Sequence, residues 1–526
     1  MLRLILGTDW TANRDLILKR LARDVSEEKP GRILMVPEFI SHDTERRLCM
    51  AAGDTASRFA EVLSFTRLAN RVSATEGRAS MECLDDGGRV VAMAAAARQL
   101  HSKLKAYAAV ETKPEFLTAL IDAIDEFKRC CISSQDLLAA AQSTQGSLAQ
   151  KLEELSLLLE GYDSICARGK RDPRDRETQL LEQLEEGSFA RNHVFYIDGF
   201  PDFTRQHMAI LEHLIRNSPE VTVSMNCDRV GSGLLAFEKA GYTAQEILAC
   251  AKRAGVPVEI ENLVPQAHPL TPVRERLFQG GISQVVPGLH TYRTETPGQE
   301  CLAAAQHVLE LVRGGCRFRD ITLVCTDMTA YEGLAGLIFR RMGIPLYVSG
   351  TEDILCQSVI ATVLNGLDAA LGGFEQKSVL RYLRSSLSPL SLDLCDQVEN
   401  YAIIWGVRGS QWTKPWDKHP DGLGRDWTDY SRNKVQQLDQ AVQKAMKPLD
   451  QLRRSFLEAG KLQDQVLALY TFLEDMGLEN RLLTMAGNLD AQGDNRSAQI
   501  LNQLWEILIS ALEQLHDMLG QTMWEP

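Results

Sequence analysis

Asp198 and Gly199 stand at the end of the run Val194–Ile197, VFYI. A carboxylate in that position is where a phosphate-loop NTPase holds its Mg²⁺. The run is short, apolar and rich in β-branched and aromatic residues, the composition of a buried strand. Such enzymes also need a side chain to orient the attacking water, and the residue after the carboxylate is Gly199, which has none. The other half of that chemistry is a loop G-x-x-x-x-G-K-[ST] between a strand and a helix. Leu2–Leu6 is an apolar run ended by Gly7, and residues 15–25 carry Leu16, Ile17, Leu21 and Val25 at helical spacing. The loop between them reads Gly7-Thr8-Asp9-Trp10-Thr11-Ala12-Asn13-Arg14. By position Ala12 replaces the second glycine, Asn13 the lysine and Arg14 the hydroxyl residue. Asn13 cannot neutralise β- and γ-phosphates, Arg14 cannot ligate Mg²⁺, and Asp9 and Trp10 put charge and bulk where phosphate would lie. Gly7, Asn13, Arg14 and Asp198 thus read as a vestigial nucleotide site, with a ligand-free βα turn as the plainer alternative for the loop.

A second candidate is Ser64-Phe65-Thr66-Arg67, followed by Asn70 and Arg71. An aromatic ring, two hydroxyls and a guanidinium within four residues can stack a base and hold a phosphate. Asn70 can read a base edge through its amide, and Arg71 meets a phosphate or an acidic neighbour. The alternative is a strand–helix junction in which Thr66 caps the helix, Phe65 is core and Arg67 is a solvated first-turn residue.

The elements that must position these residues follow the chain. Residues 32–37, RILMVP, read as a second buried strand and residues 45–52 as a helix. Residues 89–183 are almost continuously helical in pattern, with the alanine-rich run at 92–97 and heptad-like leucines over 148–159. Only GKRDPRDRE at 169–177 breaks that pattern, as a solvated loop. After Thr204 come a helix at 205–216, a strand at 220–225, a helix at 242–254 and a strand at 256–260, which make an α/β domain with a parallel sheet. Beyond a Pro- and Gly-containing connection at 265–287, a second α/β unit is expected. Its strands fall at 289–293, 321–326 and 345–348 and its helices at 298–314 and 331–342. Residues 354–519 read as helical, with a Trp-rich polar break at 405–425.

Composition bounds the function. The 526 residues are 44% hydrophobic and 24% charged, as in a soluble globular protein of several domains. No apolar run approaches the ~20 residues of a membrane span. LRLILG, with Asp9 close behind, is too short for a signal-peptide core, so a cytoplasmic location and no membrane contact are expected. The twelve cysteines include one adjacent pair, Cys130–Cys131, and no C-x-x-C, which disfavours a zinc ribbon or a local iron–sulfur motif. A net charge of −13 disfavours a large nucleic-acid surface, so any DNA contact is a local basic groove on an acidic body.

The combination of motifs carries a resemblance. In order they are the degenerate loop, SFTRLANRV at 64–72, EFKRCCISSQDL at 126–137, VFYIDGFPDFT at 194–204 and DITLVCTD at 320–327. VENYAIIWGVRGSQWTK at 398–414 and LALYTFLEDMGL at 467–478 follow. Together they resemble the N-terminal part of the B subunit of the bacterial ATP-dependent helicase/nuclease, the AddB/RexB family, over nearly the whole chain.

That resemblance implies an α/β fold of two RecA-like, superfamily 1 helicase-like P-loop domains with large helical insertions. The first domain would combine residues 1–88 and 188–285, with 89–187 projecting as a helical insertion. The second, incomplete, would begin at 286–353 and carry a truncated helical insertion at 354–526. The resemblance also implies an A subunit that supplies the motor, forming a heterodimer that acts on single- and double-stranded DNA ends. The complex would resect double-strand breaks for recombinational repair, with this body holding single-stranded Chi-type sequence. The DNA contact would then fall on Phe65, Thr66, Arg67, Asn70 and Arg71. The family's cofactors are Mg²⁺ and a 4Fe–4S cluster, and the cluster with the nuclease would lie beyond residue 526. No cofactor and no catalytic residue is expected in this chain, which reads as a fragment of a longer protein. Where related helicases carry an arginine after the second-domain strand, this chain has Cys325-Thr326-Asp327. Two alternatives stay open: an active ATP-binding helicase subunit with a divergent loop, and a DNA-free scaffold for the A subunit.

Overall fold

A computed structural model describes residues 1–77, 82–108, 113–167, 170–265, 268–278, 285–348 and 354–523. Gly169, in the expected solvated loop, and residues 524–526 lie outside them. The chain divides into two compact units, the larger formed by Met1–Ala267, Glu275–Gly281 and Ala361–Pro526, the smaller by His268–Arg274 and Ile282–Ile360.

The larger unit is built on a six-stranded sheet of β1 (Leu2–Leu6), β2 (Arg32–Met35), β3 (Ala60–Leu63), β4 (Val194–Ile197), β5 (Val221–Met225) and β6 (Val258–Asn262). The strand order is β3-β2-β4-β5-β1-β6, with every pairing parallel. A parallel sheet is covered on both faces, so its strands are apolar at successive positions instead of alternating with polar ones. Ile5, Leu34, Val62 and Tyr196 face a core completed by helices α1 (Trp10–Ser26) and α2 (Glu38–Ala52). Leu4, Ile33, Leu63, Phe195 and Val223 face the opposite core. That core is closed by helices α3 (Phe65–Thr75), α8 (Asp175–Glu186), α9 (Arg205–Asn217) and α10 (Glu238–Ala254). Strand β4 arrives after the long insertion yet pairs in register with β2, Arg32 opposite Val194 and Met35 opposite Ile197. Edge strand β6 is mostly exposed, and its Glu259 and Glu261 take Arg3 and Arg20 as partners. Charged side chains on an edge discourage pairing with another chain.

Between α3 and β4 the described residues form helices α4 (Asp86–Leu100), α5 (Pro114–Arg129), α6 (Ser134–Gln142) and α7 (Ser147–Cys166), leading into α8, with one isolated bridge from Cys83 to Arg171. Its centre is ionic. Arg89 pairs with Asp125 and lies 3.5 Å from Asp172, while Lys128 lies 3.1 Å from Asp172 and 2.6 Å from Asp175. Residues 170–175, expected as part of a solvated loop, therefore tuck carboxylates inward onto two cations. Among the described residues, 354–523 hold helices and one isolated bridge, Lys461 to Met523. From this segment Leu462 and Leu519 join the core of the insertion, and Gln514 Nε2 donates to Asp85 Oδ2 at 2.6 Å. In the Trp-rich break Trp412 is buried and Tyr401 stacks on Trp416 at 4.3 Å.

The smaller unit departs from expectation. Its helices Pro297–Arg313 and Met328–Arg341 form, capped by Thr296 and Asp327, and share a small core of Ala305, Val308, Phe339 and Ile344. The segments 289–293, 321–326 and 345–348 are not strands. A strand exists only through a ladder partner, and these segments leave Leu323, Val324 and Tyr347 largely exposed instead of packed in a sheet.

Candidate functional site

The carboxyl ends of β1, β2, β3 and β4 lie at one edge of the sheet, where ligands of parallel α/β folds bind. Both candidate groups sit there. The loop after β1 is shorter than its sequence suggests, because Asp9 starts a helix. Its side chain accepts from Thr11 N at 3.0 Å and Ala12 N at 3.3 Å, so α1 begins at Trp10 and not near residue 15. The amides that would cradle a phosphate are thus capped from within, and the anion-favouring end of the helix already holds an anion.

Asn13 occupies the lysine position and is almost fully buried. Its Nδ2 donates to Gly7 O at 3.1 Å and Met225 O at 3.3 Å, tying the loop to the end of β5. A Cβ at Gly7 would collide with Asn13 Oδ1, so a larger residue there would displace the Asn13 amide.

Arg14, at the hydroxyl position, points into the space between β1 and β4. Its Nε lies 3.3 Å from Asp198 Oδ2, both side chains are buried, and the guanidinium sits under the Trp10 ring at 4.4 Å. Ser224, on the intervening strand β5, donates to the other Asp198 oxygen. Each oxygen of the carboxylate that would hold Mg²⁺ is therefore engaged by the chain itself, one by a guanidinium and the other by a hydroxyl. Gly199 follows with φ of +82°, and a Cβ there would press on Ile40 Cδ1 at 2.8 Å. Magnesium needs near-octahedral oxygen donors and tolerates no cation among them, so this donor set does not fit a magnesium–nucleotide pair. Among the described residues no group of three His, Cys, Asp or Glu could hold a metal.

The second group is divided by the structure. Ser64, and not Thr66, caps α3: its Oγ accepts from Arg67 N at 3.2 Å and donates to Glu38. Phe65 is 6% exposed, stacks on His207 at 3.9 Å and 9°, and meets Phe200 edge-on at 5.5 Å. Its ring packs in the core, as the strand–helix-junction alternative expects. Thr66, Arg67, Asn70 and Arg71 line the outer side of α3. Both arginines are already paired. Arg67 Nη1 is 2.6 Å from Glu45 Oε1 and its Nε is 3.7 Å from Glu38 Oε1. Arg71 grips Glu61 with two parallel bonds, Nε to Oε2 at 2.9 Å and Nη2 to Oε1 at 2.8 Å. Arg67, Asn70, Arg71, Glu45 and Glu61 border a groove of about 480 Å³ between α2 and α3.

Sequence reasoning passes over Phe39. It stands in the first turn of α2, next to Glu38, and is 87% exposed. The available signal is its position just after Pro37 at the exit of a buried strand, the same edge as Asp198.

A family model described as "ADDB, N-terminal" matches residues 4–274. The chain belongs to this family. Relatives named as the B subunit of an ATP-dependent helicase/deoxyribonuclease match along its whole length. The one from Desulforudis audaxviator is 27% identical over 100% of this chain and 48% of the relative. That from Geobacillus kaustophilus is 27% identical over 99% and 48%, and that from Clostridium botulinum strain Langeland 24% over 99% and 47%. The chain spans about half the length of the curated relatives it matches. Its family segment, 4–274, takes in strands β2 to β6 whole, most of β1, and both candidate groups. Among the described residues no helix is long and apolar enough to cross a membrane.

Proposed function

We propose that this chain is a helicase-like body within the B subunit of a bacterial helicase–nuclease that resects double-strand breaks for recombinational repair, and that it holds single-stranded, Chi-type DNA without using ATP. The observation that carries this reading is the buried Arg14–Asp198 pair: the position of the metal is taken by a guanidinium. The parallel sheet assembled from both sides of the insertion supports a RecA-like first domain at 1–88 plus 188–285. That the relatives are named as one subunit of an ATP-dependent enzyme supports an A subunit as partner and motor. Mg²⁺, the 4Fe–4S cluster and the nuclease belong in this reading to other parts of that assembly, and the location is cytoplasmic.

Strand contact is assigned to Phe65, Thr66, Arg67, Asn70 and Arg71, with Phe39 as an exposed stacking ring in addition to the buried Phe65. A solvent-exposed ring stacks any base, whereas a guanidinium supplies phosphate or base-edge donors. The test is equilibrium binding of fluorescent single-stranded oligonucleotides by the A–B complex at one fixed salt concentration, wild type against Arg67→Ala and Phe39→Ala. Weaker binding by both variants supports the assignment. Unchanged affinity and sequence preference would leave the DNA-free scaffold as the better reading, which the net charge of −13 and the acid-paired arginines favour.

A further inference from the structure

Two features of the α3 face conflict with simple phosphate binding. Its two guanidiniums are the donors a strand would need, yet each is engaged by a carboxylate from a neighbouring element, Glu45 on α2 for Arg67 and Glu61 on β3 for Arg71. Neither pair is internal to α3, and neither is buried, with about two-fifths of each side chain exposed. Ion pairs at that exposure contribute little to folding. They are therefore poorly explained as struts. A phosphate binding either arginine must compete with its carboxylate, and the chain's net charge of −13 adds to the opposition.

We propose that Glu45 and Glu61 are latches on Arg67 and Arg71 that compete with nucleic-acid phosphates, so that a strand is retained only where base contacts add to the phosphate term. This rests on the strand-binding reading above. Backbone contact alone is sequence-blind, and a protein that tracks DNA must release most sequences. Placing a like charge beside each donor subtracts from the sequence-blind term and leaves base-edge contact from Asn70 and stacking on Phe39 unaffected. The penalty is the same for every sequence, so at a given protein concentration mixed-sequence complexes fall below the threshold of retention while those with added base contacts stay above it. Arg71 carries the tighter latch, because two parallel bonds to one carboxylate fix its plane, and Glu61 raises its pKa further above the ordinary value. Arg67 shares its guanidinium between Glu45 and Glu38, and Glu38 is held in turn by Ser64, so this latch is coupled to the cap of α3.

The experiment uses the A–B complex with mixed-sequence single-stranded DNA, comparing wild type with Glu45→Gln, Glu61→Gln, both together, and Glu45→Gln in an Arg67→Ala background. Each single change is expected to tighten mixed-sequence binding about three- to tenfold and to steepen the salt dependence by about one phosphate equivalent. Affinity for the favoured sequence should rise by the same factor, so the ratio between sequences stays unchanged while mixed-sequence strands are retained at protein concentrations where wild type releases them. The gain from Glu45→Gln should vanish when Arg67 is alanine. Glu45→Asp, which keeps the charge, should behave as wild type and shows that folding is intact. If Arg67→Ala weakens binding while the glutamine variants change neither affinity nor salt slope, the latch is wrong and the strand site stands. If Arg67→Ala has no effect on wild-type binding, both fall.

Discussion

Arg14 and Arg67 follow strands of the same sheet, open onto the same edge and face carboxylates, yet their surroundings differ. Arg14 and Asp198 are both nearly inaccessible, with Ser224 and Trp10 closing the remaining sides. Arg67 and Glu45 share a water-covered face. In a low-dielectric interior neither partner can leave without stranding the other's charge, so the first pair is a fixed part of the fold. At the surface water replaces either partner at small cost, so the second pair can exchange. An arginine–carboxylate pair is thus a fixed part of the fold in one place and an exchangeable contact in the other.

The sharpest way to break this contrast is to remove one partner from each. Arg14→Ala leaves Asp198 buried and unpaired and should cost about 3–5 kcal/mol of stability in urea unfolding. Replacing both, Arg14→Met with Asp198→Leu, should recover most of the loss. Equal losses for the single and double variants would mean that the pair is not what holds this edge together.

A second buried pair checks whether burial, and not the location, confers this strength. Burial works to raise the Asp125 carboxyl, but the Arg89 and Arg174 guanidiniums outweigh it and hold it below the ordinary range. A lowered folded value stabilises fully above the unfolded value near about 3.9 and is lost as the pH falls below it. Asp125→Asn should therefore cost about 2–3 kcal/mol at pH 7, with the gap from wild type closing below about pH 4. A gap independent of pH would show that the carboxylate's charge is not what matters.

At the surface the expectation reverses. Arg67→Ala should leave stability within about 0.5 kcal/mol of wild type while removing about 1–3 kcal/mol of strand binding. The smallest effect on the nucleotide-like edge belongs to the cap: Asp9→Ala should cost about 1 kcal/mol of stability. It would also test whether vacating that cap lets the helix end accept sulfate, which isothermal titration would detect.

How much of this is legible in the sequence depends on range. The run Val194–Ile197, its terminal Asp198 and the broken loop at Gly7–Arg14 can be read directly, because strand composition and motif spacing are local. Asp9 reads as charge in a phosphate's place, and its capping role, equally local, is hidden behind that reading. The partner of Arg14 is not legible: it lies 184 residues away, and only the sheet order brings β1 and β4 to either side of β5. Phe65 stands open between ligand and core in the sequence, and the register at Ser64, which turns the ring onto His207, is not legible there. The three expected strands of the smaller unit have strand-like composition, but composition cannot supply a ladder partner.

The central claim is that the chain's own guanidinium has replaced the metal and phosphate. A calorimetric titration of the purified chain with MgATP, with phosphate release followed on the same sample, tests it most directly. No saturable heat and no phosphate release at millimolar nucleotide is the result expected for wild type and for Asp198→Asn alike. Stoichiometric binding by wild type that weakens in Asp198→Asn would contradict it, because it would mean that Arg14 yields its place to a nucleotide.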